Sequence, residues 1–210
     1  MTSAWFGFVA KVAIMLPAFL IAVSFHECSH ALVAYWLGDD TAKRNGRLTL
    51  NPLAHVDFLG LIFLLIFRIG WANPVPMDHR NFKYPRLYAV IAALAGPFSN
   101  FLLAYLCFLA IAHFPSALFA PAITVSFIQV FTACAYINIM LGAFNILPIP
   151  PLDGSHILNA FLIKKFPNVV AWLYRYSLII LLVLFLTPQF QNMLFSIFKY
   201  TEQVLKSLVF

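Results

Sequence analysis

Apolar residues run almost unbroken along four stretches of the chain, roughly 12 to 37, 87 to 113, 122 to 146 and 169 to 187. A helix crossing the hydrocarbon core of a bilayer needs about 20 such residues, so each stretch reads as a transmembrane helix. A further run, Phe58 to Phe67, is too short to cross. Lys43, Arg44 and Arg47 precede it and Arg80, Lys83 and Arg86 follow it, which puts both of its ends on the cytoplasmic face by the positive-inside rule. Residues 56 to 70 are therefore expected to form a re-entrant or interfacial segment. After Pro188, the polar Asn192, Ser196, Lys199, Gln203 and Lys206 recur every three or four residues, with Leu194, Phe198, Leu205 and Leu208 largely on the other side. That is the pattern of an amphipathic helix over 189–210, either lying at the interface or adding a membrane helix.

The connections fix an orientation. Residues 114–121 and 188–192 carry no charge, whereas 147–168 carry Lys164 and Lys165. The spans should alternate, with the N-terminus and the uncharged connections outside. Two segments have strand character near the cytoplasmic face. Arg47-Leu48-Thr49-Leu50 alternates polar and apolar, and Trp71 to Met77 contains Asn73-Pro74-Val75-Pro76, which cannot be helical and suits an edge strand. Non-helical backbone at membrane depth survives only where it is buried in protein or walls a wet cavity. The expected fold is an all-α polytopic membrane protein of one domain over 1–210, with a core at 12–187. It has about four transmembrane helices, the re-entrant segment, two short cytoplasmic-side β-strands and the C-terminal amphipathic helix.

Composition supports the lipid bilayer as solvent, since 63% of the 210 residues are hydrophobic and 10% charged, against about a quarter charged in soluble domains. Apolar character continues from Trp5 to Leu37 without the layout of a cleavable signal, so the N-terminus is expected to be retained. Cys28, Cys107 and Cys134 are odd in number and lie in apolar segments, giving neither a disulfide framework nor a Cys-based metal spacing. The net charge of +6 is scattered over short loops, which reads as topology and not as a nucleic-acid surface.

His26-Glu27-Cys28-Ser29-His30 is an H-E-x-x-H motif inside an apolar helix. Residues four apart lie one turn above each other, so both imidazoles can reach one zinc ion with Glu27 beside it. Glu27 is the one charged side chain between Lys11 and Asp39, and such a group at that depth costs about 2.5–3.5 kcal/mol. The motif lies about 13 Å from the helix end at Leu37, intramembrane but near cytosolic water. The alternative is a satisfied polar cluster between helices. A catalytic zinc needs a third protein ligand and an open fourth position. Asp153, in Leu147-Pro148-Ile149-Pro150-Pro151-Leu152-Asp153-Gly154, is the other acid in a suitable apolar context; it serves either as that ligand or as a helix N-cap.

Together these pieces resemble the site-2 proteases, intramembrane zinc metalloproteases that cleave transmembrane substrates. The matching segments are His26 to His30, Gly96-Pro97-Phe98-Ser99-Asn100 and Pro150-Pro151-Leu152-Asp153-Gly154. Gly46 to Pro52 and Gly70 to Pro76 resemble short bacterial-type members without a PDZ insertion or other appended domain. The resemblance implies one Zn2+ per chain held by His26, His30 and Asp153, with Glu27 as catalytic general base. It implies a bacterial cell (inner) membrane protein whose active site faces the cytoplasm and hydrolyses peptide bonds of transmembrane protein substrates. It also implies a supporting role for Asn100, binding a substrate carbonyl or oxyanion unless its turn serves helix packing; Asn145 has the same status.

Asp78-His79 departs from the expected pattern. His156 either supports the metal or Asp153 as a neighbouring group or is structural; His55 is a transition-state donor, a proton carrier or a cap. His79 and His113 read as unconnected with chemistry. The two strand segments could capture an unwound substrate by β-addition. A metal transporter and a catalytically silent scaffold are the competing classes. Too few intramembrane acids for a relay and no visible inverted repeat disfavour the first, and the intact Glu27 disfavours the second.

Overall fold

The computed structural model describes residues 2–67 and 72–210. Helices follow in the order α1 (Thr2–Trp36), α2 (Thr41–Arg44), α3 (Phe58–Phe67), α4 (Pro85–Ala112), α5 (Pro121–Asn145), α6 (Ser155–Leu162), α7 (Pro167–Arg175), α8 (Ser177–Leu186) and α9 (Pro188–Ser207). Proline opens α4, α5, α7 and α9, where its missing N–H costs no helical hydrogen bond. Residues Val12–Trp36 of α1, together with α4 and α5, make three helices long and apolar enough to cross a membrane.

These three helices pack on one another through small side chains. Ala22, Ala31 and Ala34 of α1, Ala92, Ala93 and Ala104 of α4 and Ala135 of α5 are fully buried, while Phe25 of α1, Phe98, Leu102 and Leu106 of α4 and Ile123 and Met140 of α5 are exposed. Between helices in lipid there is no hydrophobic drive, so close backbone approach through small residues supplies the packing energy. Pro17 and Pro97 lie inside α1 and α4 without ending either helix.

The fourth predicted span, 169–187, is not one straight helix. It divides into α7 and α8, bent by 66°. The Tyr174 hydroxyl of α7 bonds with Ser155 and Asn159 of α6, which holds α7 beside α6. That leaves α8 with ten residues, nine of them apolar, about 15 Å of helix and too short to cross alone. Leu181 and Phe185 of α8 and Phe190 of α9 pack with Phe144, Leu147 and Leu152. The 188–192 connection, expected outside, thus lies at the Asn145 end of α5, beside the turn that carries Asp153. From there α9 runs back along α5. Phe198 meets Tyr136, and Lys206 reaches the rings of Phe108 and Tyr136. Its polar face, read as facing water, turns in part to the protein: Glu202 accepts from Tyr136 Oη at 2.9 Å and from Lys206 at 2.6 Å.

The two predicted strands are absent among the described residues, where one isolated antiparallel bridge, Val56 with Ala72, is present. Trp71 and the end of the 56–70 segment lie outside those residues. Pro74 and Pro76 do keep the following segment extended, but its remaining polar groups are used elsewhere. Asn73 N–H donates to the His55 carbonyl, Arg47 donates to the Asn73 and Pro74 carbonyls, and Val75 N–H donates to Glu27. The groups at Asn73, Pro74 and Val75 that a ladder would use are thus taken.

Asp39, just past α1, latches this segment. It is fully buried and accepts from the Asp78 N–H at 2.7 Å, the Asn81 amide at 2.8 Å and the Thr41 N–H at 3.0 Å. Burial by itself raises its pKa, but the hydrogen bonds from Thr41, Asn81 and Asp78 outweigh it and hold the carboxyl below its usual value. A depressed carboxyl pKa stabilises the fold above the unfolded value of about 4, and that stability is lost as pH falls through the folded value. Asp39→Ala should remove about 1.5–3 kcal/mol of local stability and expose residues 72–81 to proteases at neutral pH, as the wild type does only in acid. Limited proteolysis read by mass spectrometry across about pH 3 to 7 checks this.

Candidate metal centre

His26 and His30 lie one turn apart on α1, with ring centroids 4.6 Å apart and planes at 89°. Asp153 enters from the proline-rich turn after α5. Its Oδ2 stands 3.0 Å from His26 Nε2 and 3.3 Å from His30 Nε2, and the two Nε2 atoms are 3.0 Å from each other. The histidines are buried and the Asp153 side chain is 21% exposed, so the group opens on the Asp153 side.

The outward ring nitrogens decide what these atoms carry. His30 Nδ1 lies 2.8 Å from the Ala92 carbonyl, which can only accept. His26 Nδ1 lies 2.6 Å from Asn100 Oδ1. That amide is oriented because Asn100 Nδ2 donates to the Ala22 carbonyl at 3.1 Å and to Asn138 Oδ1 at 2.8 Å. Asn138 Nδ2 in turn donates to the Cys134 carbonyl at 2.9 Å. Both histidines therefore hold their proton on Nδ1, and each Nε2 of the neutral ring presents a lone pair.

Asp153 Oδ2 is buried with no hydrogen-bond donor among the described residues. Three lone-pair atoms thus crowd within 4.8 Å of one another. A proton could relieve one pair of them, whereas a divalent cation serves all three. Two imidazole nitrogens and a carboxylate oxygen are a zinc-type donor set with a fourth position left open.

Two backbone features make room and order the neighbouring carboxylate. A β-carbon at Gly96 would stand 2.7 Å from His26 Cε1 and closer still to the His30 ring, so α4 can approach the imidazoles only with glycine there. Glu27 is buried next to His26, and its Oε2 accepts the Val75 N–H at 3.0 Å.

Of the residues singled out in the sequence, His26, His30 and Asp153 come together, with Glu27 adjacent. Asn100 is at the centre but spends its amide on His26, Ala22 and Asn138. Asn145 turns its side chain back to the Leu141 carbonyl, and its own carbonyl accepts from Gly154 N–H at 2.8 Å, steadying the Asp153 turn. His55 is fully buried away from these groups, with Nε2 on the Thr49 carbonyl at 2.8 Å. His156 lies three residues past Asp153 and faces His79. Sequence reasoning missed Asn138, the Ala92 carbonyl and the Val75 N–H. Asn138 had a signal, as a polar amide inside an apolar span; the backbone partners had none.

Residues 110–184 match the profile of peptidase family M50. The chain is 41% identical over 171 residues to YwhC of Bacillus subtilis, assigned by name as a zinc metalloprotease, covering 80% of this chain and 78% of that one. The chain belongs to peptidase family M50. Rip2 of Mycobacterium tuberculosis is 30% identical over 196 residues, 91% of this chain and 73% of its own. A Methanocaldococcus jannaschii protein is 33% identical over 145 residues, 67% of this chain and 68% of its own; both are likewise assigned by name as zinc metalloproteases. No solved structure matches the chain. The M50 profile match includes Asn138 and Asp153 and stops short of His26 and His30, so it is the helix packing that joins the two parts at one point.

Gly96→Ala should improve helix propensity by about 1 kcal/mol yet displace both imidazoles and abolish stoichiometric metal binding, read by elemental analysis of the purified protein. Asn138→Leu frees the Asn100 amide to turn and should weaken metal affinity about 10–100-fold, measured by competition with a chromophoric chelator.

Proposed function

We propose that this chain is an intramembrane zinc metalloprotease that hydrolyses peptide bonds of transmembrane protein substrates. One zinc is held by His26, His30 and Asp153, with Glu27 as general base. The observation that carries this reading is the convergence of three lone-pair atoms, one of them a donor-less carboxylate oxygen, beside the buried Glu27. When bound, zinc supplies a Lewis acid that polarises a carbonyl and lowers the pKa of a water toward about 7.

The chain's own residues do the rest. Asn100 and the Ala92 carbonyl accept from the Nδ1–H of the two imidazoles, so it is Nε2 of each ring that is turned to the metal position. Glu27 takes the proton of the attacking water and returns it to the leaving amine as the peptide C–N bond breaks, giving a carboxylate and an amine. The Val75 N–H on Oε2 fixes the rotamer of this base. A helical substrate hides its carbonyls in its own hydrogen bonds and must unwind locally before one can reach the site.

The basic Lys43, Arg44, Arg47, Arg80, Lys83 and Arg86 lie in or beside the segments that pack on the Trp36 end of α1, with Lys164 and Lys165 just after α6. Under the positive-inside rule this supports a cytoplasmic opening in a bacterial cell membrane.

In liposomes containing a single-span model substrate, Glu27→Gln is expected to lower kcat about 10²–10⁴-fold while zinc content stays at one per chain, and His26→Ala to lose the zinc as well. Chelation should stop cleavage and zinc should restore it. A Glu27→Gln variant cleaving at the wild-type rate would overturn the proposal.

A further inference from the structure

The chain has six histidines, and four of them have a ring nitrogen engaged: His26 with Asn100, His30 with Ala92, His55 with Thr49 and His113 with Leu109. His79 and His156 differ. Among the described residues neither ring is hydrogen-bonded, and the two face each other with centroids 5.7 Å apart and planes at 78°. This is close to the crossed arrangement of His26 and His30. Two imidazoles on one tetrahedral ion, with Zn–N bonds of about 2.0–2.1 Å, have their centroids roughly 5 Å apart.

The pair is placed on the way in. His79 is exposed, in the turn that Asp39 latches through the Asp78 N–H, and its ring lies nearly parallel to that of buried Phe82 at 5.9 Å. His156, half-buried in the first turn of α6, meets His79 through its ring, and its backbone N–H donates to the Asp153 carbonyl at 3.0 Å. Burial increases from exposed His79 to half-buried His156 to buried His26 and His30, and Asp153 is the partly exposed member of the inner group. The neighbouring Asp78 carboxylate is bound to Arg80 and does not compete.

We infer that His79 and His156 form a second, transient divalent-cation site at the mouth of the centre, through which zinc is loaded. This rests on the zinc reading above. The step is ligand exchange with no change of oxidation state: the ion trades water for two neutral imidazoles, then trades those for Asp153 and the His26–His30 pair. Two ligands hold the ion more weakly than three, so it moves inward.

The test uses the full-length protein in nanodiscs, stripped of metal and mixed with limiting Zn2+ held by a chromophoric chelator, so that transfer is read by absorbance and not by proteolysis. His79→Ala, His156→Ala and the double variant are compared with His113→Ala, a histidine at the far end of α4. The double variant should take up zinc about 10-fold more slowly or slower still, because the local ion concentration at the mouth falls, and reach the same one ion per chain. In excess zinc the wild type should bind a second, weaker equivalent that the double variant lacks; His79→Gln with His156→Gln, closer in size, repeats the comparison should the alanines unfold. Wild-type loading rates in both double variants would overturn the inference. So would a final stoichiometry below one, which would make these residues resident ligands. A wild-type protein that takes up no zinc at all would overturn the function proposed above together with it.

Discussion

The lone pairs of His26, His30 and Asp153 can converge on one cation only if both imidazoles keep their protons on the far side. In lipid no water is available to accept those Nδ1 protons, so protein groups must do so. For His30 this is a backbone carbonyl of α4. For His26 it is the Asn100 amide, whose orientation depends on Asn138 of α5 and on the Ala22 carbonyl of α1. The relative register of the three long helices is thereby tied to the protonation pattern of two rings. A one-residue slip of α4 would bring a side chain other than glycine against the imidazoles and move the Ala92 carbonyl away from His30.

The same constraint explains which parts of the molecule were legible in the sequence. Three of the spans could be read because a bilayer sets their length, and the residues of the candidate site stood out because His, Glu and Asp are costly in apolar surroundings. The faces were less legible. In water a helix buries its apolar stripe, but here α1, α4 and α5 bury mainly alanine, glycine and the polar site residues, with Phe108 and Ile139 the large exceptions, and expose many other Leu, Phe and Ile side chains. Small size favours burial in this bundle, and a hydrophobicity pattern does not register size.

Where the sequence misled, the missing information was a partner far along the chain. The extended, proline-marked character of residues 73–77 was read correctly, yet their pairing was not, because Glu27 and Arg47 take the groups a strand would have used. In α9, the polar stripe read as that of an interfacial helix or of an added membrane helix. Glu202 and Lys206 instead pair with each other and with Tyr136 of α5. An amphipathic pattern states that one face wants polar company, and cannot state whether water or another helix provides it. The bend between α7 and α8 has the same origin, since it depends on Tyr174 finding Ser155 and Asn159.

Two separate supports converge on the centre, and they act on different atoms. The amide chain from Asn138 through Asn100 reaches His26 and sets the ligand tautomer, without touching Glu27. The Glu27 carboxylate is instead held by Val75, whose segment is fixed at one end by Arg47 on the Asn73 and Pro74 carbonyls and at the other by Asp39 on the Asp78 N–H. Those outer anchors lie in the aqueous connections and not among the spans. A perturbation of the loops therefore reaches the proposed base while leaving the ligand set in place, and a perturbation between the helices does the reverse. On the proposed function, metal occupancy and proton transfer are in this way separable properties of one small site, because the fold assigns each to a different set of hydrogen bonds.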